Sequence, residues 1–87
     1  MSRPLKQKTW TLQVPENAQG LVIHELEIGS MEFNKVTIHM NKVLWSRFLI
    51  PKESFIHFSN IYLPKGYKLF IRAKKPLHIT HLSWAVT

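Results

Sequence analysis

Residues 63–86, LPKGYKLFIRAKKPLHITHLSWAV, constrain the fold of this chain more than any other stretch. Pro64-Lys65-Gly66 has the residue order of a turn, and Tyr67 to Ala73 then alternates apolar and polar side chains with the period of two that marks a half-buried strand. Tyr67, Leu69, Ile71 and Ala73 are expected to face inward and Lys68, Phe70 and Arg72 outward. Lys74-Lys75-Pro76 reads as a second turn, so the segment is expected to form a hairpin that closes a small β domain. Its last run holds a contradiction: Leu77 and Ile79 share one phase, whereas Leu82, Trp84 and Val86 share the other. A bulge near Thr80-His81 reconciles them, and the alternative is a strand covered on opposite sides at its two ends by neighbouring subunits.

The remaining chain repeats this grammar. Trp10, Leu12 and Val14 alternate with polar residues until Pro15, and Leu21–Ile28 comes after a turn-rich loop ending at Gly20. In that second run Val22, Leu26 and Ile28 share a face with His24, and Leu21 and Ile23 share the other with Glu25 and Glu27. Val36, Ile38 and Met40 alternate up to Asn41-Lys42, a pair suited to a two-residue hairpin turn, so Val43–Leu49 is expected to return antiparallel. Pro51 and Ser59-Asn60 are breaks that divide the stretch between Leu49 and Leu63 into short strands. Strand runs recur at about ten-residue spacing with no helical period, which predicts an all-β, antiparallel β-sandwich or jelly roll of seven to eight strands. A five-stranded barrel of the oligonucleotide-binding kind is the alternative if short strands merge across Pro51 and Ser59. Residues 1–8 are read as a basic arm and 9–87 as one domain.

Composition limits the chemistry. The 87 residues contain no Cys and no Asp, so disulfides, thiolate zinc sites and a cysteine nucleophile are excluded. No Ser lies in a Gly-framed elbow, the three glycines form no phosphate loop, and the closest carboxylates are Glu25 and Glu27 on one strand. The expectation is a protein that is not an enzyme and takes no cofactor. Five histidines are many for this length, but His78 and His81 point to opposite faces of a regular strand, so no metal site is assigned. There is neither an apolar signal-peptide run nor a stretch long enough to span a membrane. The chain is therefore expected to be made in a cytosol-like compartment and kept there, or to leave it inside an assembly.

Twelve Lys and Arg against five Glu give a net charge of +7, which favours anionic partners. The candidate interface residues are Arg3, Lys6 and Lys8 of the arm and the exposed stripe Lys68, Phe70, Arg72. On a nucleic-acid binder the cations of that stripe would neutralise phosphates and Phe70 would stack a base; on a protein interface Phe70 would be the aromatic anchor. Trp45 and Tyr62 are candidates for an exposed ligand platform suited to a sugar, whereas Trp10 and Trp84 are expected in the core.

The segments Gly66 to Ala73 and Pro76 to Thr80 resemble the terminal hairpin of small β-sandwich modules in tailed-phage virions, where a Gly-x-x-Leu-x-Ile-x-Ala strand is followed by a Pro-led partner. Val36 to Trp45 looks like their central hairpin, while Lys65-Gly66 stands where an acidic residue beside Gly is more typical. The resemblance implies a non-enzymatic virion structural protein: a capsid decoration, a head or neck fibre element, or a tail adaptor. It would assemble as a homo-oligomer, commonly a trimer, and dock on a larger, acidic protein assembly. Single-stranded nucleic-acid binding by a small barrel and glycan binding by a β-sandwich are the other functions the sequence supports.

Overall fold

A computed structural model describes residues 7–87; Arg3 and Lys6 of the expected arm lie outside this range. Six strands form one antiparallel sheet curled into a half-barrel: β1 (Gln7–Gln13), β2 (Gly20–Ser30), β3 (Asn34–Met40), β4 (Val43–Ile50), β5 (Ser54–Pro64) and β6 (Lys68–Val86). Their order is β4-β3-β6-β2-β5, with β1 also on β6. This corrects the expected sandwich of seven to eight strands. Two signals read as breaks are absorbed within strands, and one long strand joins what would otherwise be separate sheets.

That strand is β6. Its first half pairs with β1 and β3 at once, on opposite edges, with Ile71 opposite both Trp10 and Ile38. Its second half pairs with β2, from Gly29↔His78 to Leu21↔Val86. The expected closing hairpin is therefore absent, and Lys68 to Ala73 and Pro76 to Thr80, which carry part of the virion resemblance, lie within one 19-residue strand. The hairpin of β3 and β4 is formed, with Asn41 and Lys42 at φ 51° and 76°, the left-handed conformations that such a turn requires.

Lys74-Lys75-Pro76 does mark an irregularity. Gln7↔Leu77 and Thr9↔Arg72 are successive pairs, so β6 bows away from β1 between Arg72 and Leu77. The bow places Pro76, which lacks an N–H, where no ladder bond is required of it. It is pinned from the other side by Asn34, whose side chain is 1% exposed. Asn34 Oδ1 accepts the Lys75 N–H at 2.9 Å, and Asn34 Nδ2 donates to the Lys75 carbonyl at 2.9 Å and to Ser30 Oγ at 3.2 Å. A side-chain amide thus supplies the two bonds a neighbouring strand would make.

The phase contradiction in β6 is resolved as the pattern required. Glu27 pairs with His81 and Ile28 with Ile79, leaving Thr80 as an extra residue and turning Leu77, Ile79 and Leu82 to the same side. A second bulge falls at His24 of β2, which turns Leu21, Ile23, Leu26 and Ile28 all into the core. Opposite it, Asn60 has φ 57°, and Ile61 and Leu63 join the core although Ile56 and Phe58 precede them in the other phase. Asn60 therefore bends β5 without ending it.

The concave side of the half-barrel holds the core, built from Leu21, Ile23, Leu26, Ile28, Val36, Ile38, Ile50, Leu63, Leu69 and Ile71, all fully buried. Trp10 packs against it as expected, but Trp84 lies at the rim, 44% exposed, because only β2 covers the end of β6 where it sits. The end strands β4 and β5 approach through Phe48 and Phe58, with ring centroids 5.6 Å apart. Among the described residues no helix is long and apolar enough to cross a membrane.

Replacing Asn34 by Ala removes both bonds to Lys75 from a buried site. The expected loss is about 2–4 kcal/mol, a fall of roughly 10–20 °C in the thermal midpoint, measured by calorimetry. Hydrogen exchange at the Lys75 amide should accelerate in the same variant; unchanged exchange there would refute the role assigned to Asn34.

Candidate functional site

The outer surface of the half-barrel divides by charge. On the β1-β6-β3-β4 half, side chains fall into cross-strand rows: Thr9, Arg72, Thr37 and Arg47 are in register, as are Thr11, Phe70, His39 and Leu44. Lys35, Lys68 and Lys74 extend the same face. The expected stripe Lys68, Phe70, Arg72 is therefore real and faces outward, with Lys68 and Arg72 exposed and Phe70 half-buried against His39, their rings 6.2 Å apart. Lys8 is exposed on β1.

Carboxylates are grouped elsewhere. Glu25 and Glu27 lie on the outer face of β2 in the other half, and the remaining described Glu residues occupy connections. Glu25 meets His81 Nε2 at 2.5 Å and His57 Nε2 at 3.8 Å, and Thr80 Oγ1 donates to Glu27 at 2.8 Å. The Thr80 bulge brings His78 and His81 to one face, yet among the described residues no three His or Glu are placed to hold a metal ion. His39 and His57 lie in different halves. Among the described residues the side chains within salt-bridge distance of a carboxylate are His81 and His57, both beside Glu25, so no described Lys or Arg is paired with one.

Two recesses that share His39 and Arg72 lie along β3 and β6, and a third lies at the tip of the β3–β4 hairpin. Lys35, Thr37, His39, Arg72, Ala73 and Lys74 line one of about 540 Å³. His39, Lys42, Lys68, Phe70 and Arg72 line the next, of about 350 Å³. The third, of about 290 Å³, lies between Met40, Asn41, Val43, Leu44, Trp45 and Tyr67.

The tip recess is built from pinned parts. Asn41 N–H donates to the Lys68 carbonyl at 2.8 Å, and Tyr67 donates its N–H to Pro64 and accepts that of Val14, both at 3.1 Å. Gly66, at φ 84°, provides the left-handed step that starts β6 there. Trp45 is the unpaired residue of a bulge in β4, since Ile38 pairs with Ser46 and His39 with Leu44. A bulge re-aims its side chain; here the indole meets Phe58 at 6.2 Å between centroids, while 46% of the residue stays exposed. Phe58 thus packs at a 47° tilt against the indole, and nearly half of the residue remains exposed.

Of the two expected platform residues, Trp45 lines this recess and Tyr62 does not. Tyr62 lies on the outer face of β5, its ring across Gly20, where an added Cβ would come within 2.6 Å of the phenol oxygen. The partner of Trp45 is instead Tyr67, 36% exposed, which the alternation placed inside. Its position directly after Gly66, at a strand start with few neighbours, was the available signal. Asn41 registered only as a turn residue. Removing Phe58 should loosen Trp45: Phe58→Ala is expected to shift tryptophan emission to longer wavelength and to cost about 2 kcal/mol in denaturant unfolding.

No protein-family model matches this chain, and no curated protein matches it. Among solved structures it is similar to the EclA C-terminal domain, a sugar-binding protein, at 11% identity and a TM-score of 0.47, over 94% of this chain and 68% of that one.

Proposed function

We propose that this protein is a non-catalytic carbohydrate-binding module that holds a sugar in the tip recess. The observation that carries the reading is Trp45, packed at a tilt against Phe58 yet nearly half exposed, lining a recess shared with Tyr67 and Asn41. A sugar ring presents C–H groups on one face and hydroxyls around its edge. An exposed indole takes the apolar face, and an amide and a phenol take hydroxyls as donor and acceptor. Walls held by backbone bonds and ring packing lose little freedom on binding, which favours a small ligand in an open site.

The virion-structural role keeps only the β3–β4 hairpin in its support, and a trimer with an acidic docking partner is a separate proposal that light scattering would test. Titration calorimetry with a panel of neutral mono- and disaccharides at millimolar concentration tests the reading. At least one should bind, with Trp45→Ala and Tyr67→Ala each weakening it by about tenfold or more, a loss near 1.4 kcal/mol, while Tyr62→Ala leaves it unchanged. Binding that is indifferent to Trp45 and Tyr67 would overturn it.

A further inference from the structure

We infer that the basic face beside the tip recess binds the acidic groups of a polysaccharide, so that the preferred ligand is a sulfated or uronic-acid glycan lying along β3 and β6. The inference rests on the carbohydrate reading and names its ligand class. The two basic recesses share His39 and Arg72 and so form one surface, and the tip recess is linked to it through the chain neighbours Asn41–Lys42 and Tyr67–Lys68. A chain lying along β3 and β6 meets Lys42, Lys68, Arg72, Lys35 and Lys74.

The face carries charge and no counter-charge. Arg72 and Arg47 lie in one row with Thr9 and Thr37, and among the described residues no carboxylate pairs with any of these cations. The carboxylates that could neutralise them, Glu25 and Glu27, are occupied with His81, His57 and Thr80 on the other half. Exposed guanidinium and ammonium groups alternating with hydroxyls suit sulfate and carboxylate oxygens, which accept bidentate and single charge-assisted bonds. His39 Nδ1 is buried in the floor with no partner among the described residues, which leaves a polar atom for a ligand hydroxyl or bound water to satisfy.

A single-stranded nucleic acid is the competing polyanion. It requires successive open ring faces on which bases stack. Between the cations of this face the rings are those of Phe70 and His39, both half-buried and tilted 50° against each other. Cations without a stacking ladder favour anions carried on a saccharide backbone.

Calorimetric titrations of the full chain with a heparin-derived hexasaccharide, an oligogalacturonate, a neutral oligosaccharide and a single-stranded oligonucleotide test the inference. The acidic saccharides should bind more tightly than the neutral one and weaken as salt rises from about 50 to about 200 mM. Lys68→Ala with Arg72→Ala should weaken the acidic saccharides by about tenfold or more and leave the neutral one unchanged. Equal affinity for acidic and neutral saccharides, or no effect of the double substitution, would overturn the inference while leaving the tip recess intact. Tighter binding of the oligonucleotide, lost in the same variant, would reassign the face to nucleic acid. Acidic binding that ignores Trp45→Ala would retain the basic face and refute the recess reading.

Discussion

The fold depends on two hydrogen bonds between one buried side chain and one peptide unit. Asn34 holds Lys75 where β6 leaves β1 and turns from one half of the sheet to the other. At that point the strand has lost a neighbour on one edge, and its backbone groups would otherwise be orphaned beside a fully buried core. A buried unsatisfied peptide group costs about 1–3 kcal/mol, a large fraction of what a domain of this size has to spare. Because Asn34 also begins β3 and bonds Ser30 at the end of β2, the same residue fixes where β2 stops, where β3 starts and where β6 bends. The two halves of the half-barrel are aligned from there.

That alignment produces the surface. With β6 continuous, its outward residues in the first half stand beside those of β1, β3 and β4, and four strands contribute to one basic face. Its second half stands beside β2, where Glu25 lies between His57 and His81 and Glu27 accepts a bond from Thr80. A net positive chain thus becomes a molecule with one uncompensated face and one internally satisfied face. The tip recess lies at the margin of the first, where the β3–β4 turn is laced to the start of β6.

Much of this was legible in the sequence. The alternation of Leu69, Ile71 and Ala73 with Lys68, Phe70 and Arg72 fixed both faces of β6, and the phase change between Ile79 and Leu82 located the bulge at Thr80. Asn41-Lys42 named its own turn. What was misread shares a cause: local turn signals were taken at face value where distant partners override them. Lys74-Lys75-Pro76 has the chemistry of a turn, but the direction of the chain there is decided by Asn34, 41 residues away. Ser59-Asn60 likewise looked like a break, yet β2 pairs on both sides of it and the left-handed Asn60 only changes the phase. Trp45 was legible as exposed, but its brace by Phe58 and its partnership with Tyr67 arise from the curl of the sheet, which no short-range pattern encodes.

The bulges at His24 and Thr80 also bear on how such a chain can drift through evolution. Between them, residues 25–27 are displaced by one position against β6, and the displacement opened by His24 is closed again by Thr80. Loss of either residue alone would invert every side chain from that point to the next correction, sending carboxylates inward and leucines out. Insertions and deletions in this half of the protein must therefore occur as compensating pairs on adjacent strands. Distant relatives should be recognisable by matched gaps in β2, β5 and β6 rather than by shared residues.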